Sequence, residues 1–456
     1  MLKLFDHQQT ALKFAGKTGV RCALFHDVGT GKTRTTLEIF KGLKQLYPSL
    51  TMNVLCPITL IEKAWGDDIK KFTNFRYQSM RKKKIYEADI YIANYEWFLR
   101  NDFPVKAGLL VLDESSKIKT HNTKITKKIL QYKDLYKYRM ILSATPAPNS
   151  ELEYWSQINF LNDELLPTSY YAYRNKYFYM ARGNQTIVQN NIDRQTMSTM
   201  LRQGFKYKII PKYRDSLFNA INSIAHYADK DKCLDLPDRT DEVVEIDMTP
   251  EQTKIYKEMK IDCITEIEKE NIVAQVALTK LMKLRQITSG FAITPEHKVV
   301  CMKANPKMKE LQRVLSEIGD KQVIIWGNFV HEIQTIIEIL GEDNCAWLYG
   351  GTKNKDEQID DFKEGRKQYL IANPKSASHG LTFVNCAYQV FYSLDYSYEY
   401  YHQGKGRTHR AGQTKNCVYI HLLMKGTIDF QILDVLHRKL SSQDLLRRFL
   451  DDRNTA

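Results

Sequence analysis

A glycine-rich segment near the N-terminus has the residue types of a phosphate-binding loop. The segment reads Gly29-Thr30-Gly31-Lys32-Thr33. Glycines let backbone N–H groups curve around a phosphate, Lys32 can reach the outer oxygens of a nucleotide, and Thr33 can offer a hydroxyl to Mg²⁺. The strict pattern of such loops starts with glycine, where this chain has His26. The segment still predicts a nucleoside-triphosphate site that uses Mg²⁺.

Two neighbouring acids have the pattern of a metal and water site. Asp113 and Glu114 follow four apolar residues, 109–112, which read as a buried strand. Such a strand would deliver both acids to the edge of a sheet, although an Asp-Glu pair there is also common at a helix start. Asp113 could hold Mg²⁺, and Glu114 could orient and deprotonate an attacking water.

A third group of residues lies close to the C-terminus. Gln403, Arg407 and Arg410 follow the spacing Q-x3-R-x2-R. Two guanidinium groups can supply positive charge where negative charge develops as a γ-phosphate leaves. Because this group lies far from the phosphate loop in sequence, we expect two lobes that close on a shared nucleotide. A protein of this kind converts hydrolysis into movement.

Composition narrows the class of protein. The 456 residues predict two or three domains. Lys and Arg exceed Asp and Glu by 67 to 53, a net charge of +14 that indicates a polyanionic partner. The eight cysteines are scattered without a C-x2-C pair, which argues against a zinc site and for a reducing cytosol. No run of 18 apolar residues and no signal peptide are present, so we expect a cytoplasmic protein without membrane association.

Short apolar runs alternate with helical stretches, as in parallel α/β sheets. Strands are predicted at 22–26, 53–56, 90–93, 109–112 and 140–143, and again at 322–326, 345–348, 369–372, 389–393 and 417–422. Residues 150–240, rich in Tyr, Asn, Lys and Arg, read as a helical insertion. We therefore expect a first lobe over 1–295, which includes this insertion, and a second lobe over 296–456 with terminal helices.

Taken together, these segments resemble the motifs of superfamily-two helicase-like ATPases, and more closely those of the Swi/Snf family of DNA translocases. The resemblance spans nearly the whole chain in the family's motif order. The similar segments are 5–8, 27–33, 57–60, 94–96, 113–119, 143–146, 376–382 and 403–413. Ser116 departs from the family pattern, which has His there, and Ser378-His379 replaces a common glycine pair.

The resemblance implies a fold, cofactors and two further site residues. The fold would be α/β, with two RecA-like parallel-sheet lobes in tandem and the insertion between them. ATP and Mg²⁺ would be bound, with Thr33 and Asp113 on the metal. Gln8 stands where the family reads adenine, and Gly380 lies in the segment similar to the family's fifth motif.

Three functions stay open at this stage. The first is a duplex-DNA translocase, the second a helicase that separates strands, and the third an ATP-switched clamp without productive turnover. Single-stranded DNA is the alternative track, and RNA a lesser one. The chain is little more than the motor, which indicates a bacterial or phage protein. The chemistry needs only a monomer, while the oligomeric state and a loading partner stay open. Nucleosome remodelling is not implied.

Overall fold

The computed structural model of the chain describes most of its 456 residues. The described ranges are 3–82, 86–104, 108–182, 185–187, 195–197, 200, 205–269, 274–294, 296–377, 381–439 and 445. The chain forms two compact units, which meet in sequence at residue 236. The first unit takes in 1–192 and 205–235, and the second takes in 236–378 and 382–456.

Ten strands of the first unit form two sheets. They are β1 (Arg21–His26), β2 (Met52–Leu55), β3 (Tyr77–Ser79), β4 (Ile90–Ala93), β5 (Leu109–Asp113), β6 (Tyr138–Leu142), β7 (Phe178–Arg182), β8 (Gln185–Ile187), β9 (Lys206–Ile209) and β10 (Ala225–Ala228). Seven of them form a wholly parallel sheet in the order β10-β1-β6-β5-β2-β4-β3. The predicted α/β fold is confirmed for this unit.

The inner strands of this sheet are largely apolar because both of its faces are covered. Successive side chains of a strand point to opposite faces. In β5, Leu109 and Val111 belong to one hydrophobic core, while Leu110 and Leu112 belong to the other. A strand covered on both sides therefore reads as an unbroken apolar run, which is why the sequence predicts it.

Helices cover the two faces and connect the strands. They are α1 (Asp6–Lys17), α2 (Lys32–Leu46), α3 (Asp67–Phe72), α4 (Tyr95–Arg100), α5 (Lys124–Tyr132), α6 (Tyr154–Leu161), α7 (Tyr170–Tyr177), α8 (Pro211–Asn222) and α9 (Lys230–Cys233). A π-helical turn (Ile61–Gly66) and 3₁₀ turns (Ser115–Ile118, Lys133–Leu135 and Glu151–Glu153) complete the connections.

The predicted helical insertion over 150–240 is wrong in part. Helices α6 to α9 lie there, but β7, β8 and β9 form a three-stranded antiparallel sheet among them. In addition, β10 joins the large parallel sheet next to β1. These strands are short and interrupted by polar residues, so they lack the apolar run that marks the inner strands of the large sheet in the sequence.

The second unit contains another parallel sheet. Its strands are β11 (Arg239–Ile246), β12 (Phe291–Ile293), β13 (Val299–Cys301), β14 (Val323–Trp326), β15 (Cys345–Leu348), β16 (Tyr369–Ala372), β17 (Tyr388–Phe391) and β18 (Cys417–Met424). Six of them pair in parallel in the order β11-β18-β17-β14-β16-β15, while β12 and β13 form a small antiparallel pair. The second predicted parallel sheet is therefore confirmed.

Helices connect the strands of this unit, and several of them pack on its sheet. They are α10 (Pro250–Lys269), α11 (Ala274–Thr288), α12 (Pro306–Ile318), α13 (Val330–Leu340), α14 (Lys355–Lys363), α15 (Pro374–Ala377), α16 (Tyr398–Lys405) and α17 (Ile428–His437), with a 3₁₀ turn at Glu342–Asn344. Buried aliphatic side chains of α12 and α13, such as Leu311 and Ile333, form one core with Val323 and Ile325 of β14.

The sequence places the lobe boundary near residue 295, whereas the structure divides the chain at residue 236. Strand β11 pairs with β18 over its whole length, from Arg239 opposite Cys417 to Ile246 opposite Met424. Residues 236–295 therefore belong with the second sheet. The sequence of β11 does not show which sheet the strand joins, because an exposed edge strand carries polar residues in either sheet.

One buried ion pair ties four elements of the second unit together. Lys307 of α12 donates from Nζ to Oδ2 of Asp429 in α17, at 2.6 Å. The same carboxylate accepts from the hydroxyl of Thr288 at the end of α11 and from the backbone N–H of Met424 in β18. Lys307 is fully buried. The carboxylate is therefore satisfied from several sides, as a buried charge requires.

Replacing Lys307 with methionine should destabilise the second unit by about 3 kcal/mol, because the apolar side chain leaves Asp429 buried without its cation. The free energy of unfolding in urea would measure this. Lys309→Met is the matched control on the same helix, since Lys309 is exposed, and it should change stability by less than about 0.5 kcal/mol. Equal effects of the two substitutions would contradict the role of the ion pair.

Candidate nucleotide site

The predicted phosphate loop connects β1 to α2 and needs its glycines. Gly29 and Gly31 have φ of 90° and 81°, the left-handed region that glycine enters without strain. A Cβ atom at Gly31 would lie 2.5 Å from Nε2 of Gln8. The loop therefore has the compact form that lets backbone N–H groups approach a phosphate.

Lys32 begins α2 and lies against the loop. Its Nζ donates to the carbonyl oxygens of His26 at 2.9 Å and Asp27 at 3.2 Å. The hydroxyl of Thr30 also donates to the Asp27 carbonyl, at 2.8 Å. Thr33 follows in the first turn of α2 and is half-buried. The ammonium group is thus held at the loop by backbone oxygens, which a phosphate oxygen could replace.

Helix α1 brings two side chains to the same loop. His7 donates from Nε2 to the carbonyl of Thr30 at 2.8 Å, and Gln8 donates from Nε2 to the same oxygen at 3.3 Å. The carbonyl oxygen of the Gln8 side chain accepts from the backbone N–H of Phe5 at 3.1 Å. The residue predicted to read adenine is therefore bonded to the phosphate loop.

Asp113 ends β5 in a fully buried position with both carboxylate oxygens bonded. Oδ2 accepts from the indole N–H of Trp65 at 2.9 Å, and Oδ1 accepts from the backbone N–H of Glu114 at 3.0 Å. Burial and the charge of Glu114 raise the pKa of Asp113 to about 6, against the lowering effects of the Trp65 bond and of Lys32. Because β1 and β5 both pair in parallel with β6, β5 delivers its acid to the edge of the sheet that carries the phosphate loop.

Glu114 has a backbone conformation that is rare for glutamate. Its φ and ψ of 53° and 58° lie in the left-handed region, which costs roughly 1–3 kcal/mol for a residue with a Cβ. Its side chain is buried, and Oε2 has no hydrogen-bond partner within the described residues. A carboxylate oxygen in this condition can accept a proton from a bound water.

Two side chains support these acids without belonging to the predicted site residues. Tyr95 donates its hydroxyl to the backbone carbonyl of Asp113 at 2.8 Å, and Trp65 bonds the carboxylate itself. Both residues lie in or next to segments similar to family motifs. The sequence alone shows no role for them, because an aromatic residue in an apolar stretch reads as part of a core.

Gln157 of α6 connects two of the predicted motifs. Its Oε1 accepts from the hydroxyl of Ser115 at 2.6 Å, next to the acid pair, and its Nε2 donates to the carbonyl of Pro146 at 2.7 Å. Gln157 is completely buried. The turn that carries Glu114 is therefore tied to the turn after β6 through a single amide side chain.

The substitution Gln157→Leu should lower the free energy of unfolding of the first unit by about 2 kcal/mol, since the Pro146 carbonyl and the Ser115 hydroxyl lose a buried partner. Urea unfolding monitored by tryptophan fluorescence is the measurement. Gln131→Leu serves as control, because Gln131 is an exposed helical residue of the same unit. A loss no larger than that of the control would contradict the role given to Gln157.

The remaining predicted residues lie in the second unit. Gln403 in α16 is fully buried, and neither side-chain polar atom has a partner among the described residues. Arg407, also buried, donates from Nε to the Gln403 carbonyl at 2.8 Å. Arg410 follows in a half-buried turn. Gly380 lies outside the described residues.

The described structure therefore brings the phosphate loop, Gln8, Thr33 and the acid pair together in the first unit. It likewise places Gln403, Arg407 and Arg410 together in the second. No helix within the described ranges is both long enough and apolar enough to cross a membrane.

Comparison with known proteins identifies the family. The SNF2-related domain matches residues 7–291, more than half of the chain, and the helicase conserved C-terminal domain matches residues 306–412. The chain therefore belongs to the SNF2-related family of helicase-like ATPases. The resemblance predicted from the sequence motifs is confirmed.

Similar proteins differ widely in length. Protein p41 of Acyrthosiphon pisum secondary endosymbiont phage 1 is 23% identical, over 93% of this chain and 94% of its own length. The SWI/SNF chromatin-remodeling complex subunit snf22 of Schizosaccharomyces pombe is 24% identical over 91% of this chain, which spans only 26% of that protein. A solved structure of the Sulfolobus solfataricus SWI2/SNF2 ATPase core in complex with dsDNA is 24% identical in sequence, with a TM-score of 0.44. The match covers 96% of this chain and 91% of that protein chain.

Proposed function

We propose that this protein hydrolyses ATP in order to move along duplex DNA. The observation that carries the proposal is the arrangement of the first unit, where a glycine loop with Lys32 and the acids Asp113 and Glu114 lie at the same end of a parallel sheet. This arrangement supports nucleoside-triphosphate hydrolysis rather than binding alone, since Glu114 has a buried carboxylate oxygen suited to take a proton.

The residues of the site fit a nucleotide with Mg²⁺. Thr33 offers a hydroxyl and Asp113 a carboxylate, the hard oxygen donors that Mg²⁺ takes together with water and phosphate oxygens. When bound, the ion neutralises charge on the phosphates. Lys32 would exchange its backbone carbonyls for outer phosphate oxygens, while Gln8 would contact the adenine. Gly380 would complete the nucleotide site.

The second unit would supply the positive charge for hydrolysis. Arg407 and Arg410 would stabilise the negative charge that develops as the γ-phosphate leaves, and Gln403 would help to place the water or the phosphate. Glu114 would accept the proton of the attacking water. Hydrolysis of the nucleotide would then drive movement along the DNA.

DNA is proposed as the track because the chain is strongly basic and its motifs resemble those of the Swi/Snf family of DNA translocases. A net charge of +14 suits binding through the phosphate backbone, which predicts strong salt dependence and little sequence preference. One copy of the chain carries all the proposed catalytic residues, so a monomer is sufficient. A loading protein remains part of the proposal.

ATP turnover should be measured without nucleic acid and with duplex DNA, single-stranded DNA or RNA. We expect duplex DNA to give the strongest stimulation and Glu114→Gln to lower turnover at least about 100-fold while ATP still binds. Stimulation by single strands alone would favour a strand-separating helicase instead. ATP binding without turnover under any condition would leave an ATP-switched clamp and contradict the motor.

Acid should weaken the magnesium-dependent binding of ATP. The raised pKa of Asp113, about 6, means that the carboxyl is ionised at pH 7.5 and protonated at pH 5. Because the pKa of the folded state exceeds that of the unfolded chain, this group favours folding most at low pH, and that contribution is lost as pH rises through about 6. Metal binding requires the ionised form, so the apparent Mg²⁺ affinity should fall by up to about tenfold per pH unit below 6.

A fluorescent ATP analogue titrated with Mg²⁺ at several pH values would test this dependence. Trp65→Phe removes a hydrogen bond that lowers the pKa of Asp113, so the midpoint should move to higher pH. Asp113→Asn should leave only the titration of the nucleotide itself. The same midpoint in all three proteins would contradict the assignment to Asp113.

A further inference from the structure

Three histidines lie around the phosphate loop of the first unit. His26 ends β1 and is fully buried, His7 lies in α1, and His226 lies in the neighbouring strand β10. His26 occupies the position where the strict phosphate-loop pattern has glycine. None of the three has a part in the hydrolysis proposed above. His7 nevertheless contacts the phosphate loop, and His26 ends the strand that leads into it.

Hydrogen bonds join two of the rings to helix α1. Nε2 of His26 lies 2.9 Å from Nδ1 of His226, and Nε2 of His226 lies 3.1 Å from the hydroxyl oxygen of Thr10. That hydroxyl in turn donates to the backbone carbonyl of His7 at 3.0 Å. The series runs from the end of β1 to the backbone of α1, one residue before Gln8.

The backbone carbonyl of His7, which ends the series, decides which atom donates in each of these hydrogen bonds. A carbonyl oxygen can only accept, so the single hydroxyl hydrogen of Thr10 is committed to His7. The hydroxyl oxygen must then accept from an N–H at Nε2 of His226. This leaves Nδ1 of His226 as the acceptor for an N–H at Nε2 of His26. His226 is therefore neutral, with its hydrogen on Nε2, and His26 carries a hydrogen on Nε2.

The charges around the rings favour this neutral state. Burial, Lys32, His226 and His7 lower the pKa of His26 to about 2, and burial and His7 lower the pKa of His226. A proton on Nδ1 of His226 would remove the acceptor and break the series. Neutral rings, by contrast, add no positive charge beside Lys32.

We propose that the hydrogen-bond series His26–His226–Thr10 positions helix α1, and with it Gln8, against the phosphate loop for ATP binding. Helix α1 contacts the loop directly through His7 and Gln8, which share the Thr30 carbonyl. The series holds the same helix from β10 and from the end of β1. His226 and Thr10 are positioning residues, since they act through α1. The inference depends on the nucleotide site proposed above.

Binding of a fluorescent ATP analogue without DNA tests the proposal. His226→Phe keeps a ring beside Phe14, which lies 5.7 Å away, but removes both nitrogen atoms. We expect its Kd for the analogue to rise about tenfold, with kcat at saturating ATP changed less than twofold. His121→Phe is the matched control in the same unit, because that half-buried ring stacks on Tyr170 outside the nucleotide site.

Two further variants separate positioning from simple packing. His226→Asn offers an amide oxygen in place of Nδ1 and should restore part of the affinity. Thr10→Val preserves the shape of the side chain but removes the acceptor, and should raise Kd about threefold. It also keeps the proposal testable if His226→Phe does not fold. Kd values equal to that of His121→Phe in both His226→Phe and Thr10→Val would overturn the proposal.

Nitrogen-15 spectra of the histidine rings provide a test that does not depend on ATP. We expect His226 and His26 each to carry hydrogen on Nε2 and a bare Nδ1 at neutral pH. Hydrogen on Nδ1 of His226 would overturn the series. If the wild type binds no ATP analogue, the proposed function fails, and the spectra still decide whether the hydrogen-bond series exists.

Discussion

The parallel arrangement of the first sheet is the constraint that brings its functional residues together. Parallel strands require crossover connections, so their carboxyl ends open into turns along one edge of the sheet. Strands β1 and β5 therefore carry the phosphate loop and Asp113 to the same edge, on either side of β6. If β1 or β5 ran antiparallel to β6, either the phosphate loop or Asp113 would lie at the opposite edge of the sheet.

The two acids of the site differ in their surroundings although they are adjacent in sequence. Asp113 is held by the indole of Trp65 and by a backbone N–H, whereas one buried oxygen of Glu114 has no partner in the described structure. Environments that differ in this way can assign different chemical tasks to two carboxyl groups. Glu114 also differs in its backbone, which adopts the left-handed conformation with φ of 53°.

Sequence patterns predict those parts of the fold that depend on local composition. The strands covered on both faces, such as β5, appear as apolar runs, and the phosphate loop appears as glycines before Lys32. Strand β10 gives no such signal, because polar residues interrupt it. A single sequence also cannot show which sheet an edge strand such as β11 joins, which is why the sequence places the boundary near residue 295 while the compact units divide at residue 236.

The supporting side chains were hidden for another reason. Gln157 bonds Ser115 across 42 positions, and His226 bonds His26 across 200. Both are polar residues in segments without a recognisable motif, and only the folded chain brings their partners within reach. The residue types that carry out chemistry are therefore easier to predict than those that hold them in place. The sequence-based roles of Gln403, Arg407 and Arg410 stay predictions.

The position of β11 has a practical consequence for anyone who expresses the two halves separately. A fragment that starts at residue 296 would lack β11, and the backbone groups of β18 that β11 pairs with would face solvent. Unpaired strand edges of this length recruit strands from other molecules, so such a fragment would tend to aggregate. A cut between β10 and β11 instead leaves each parallel sheet with all of its own strands.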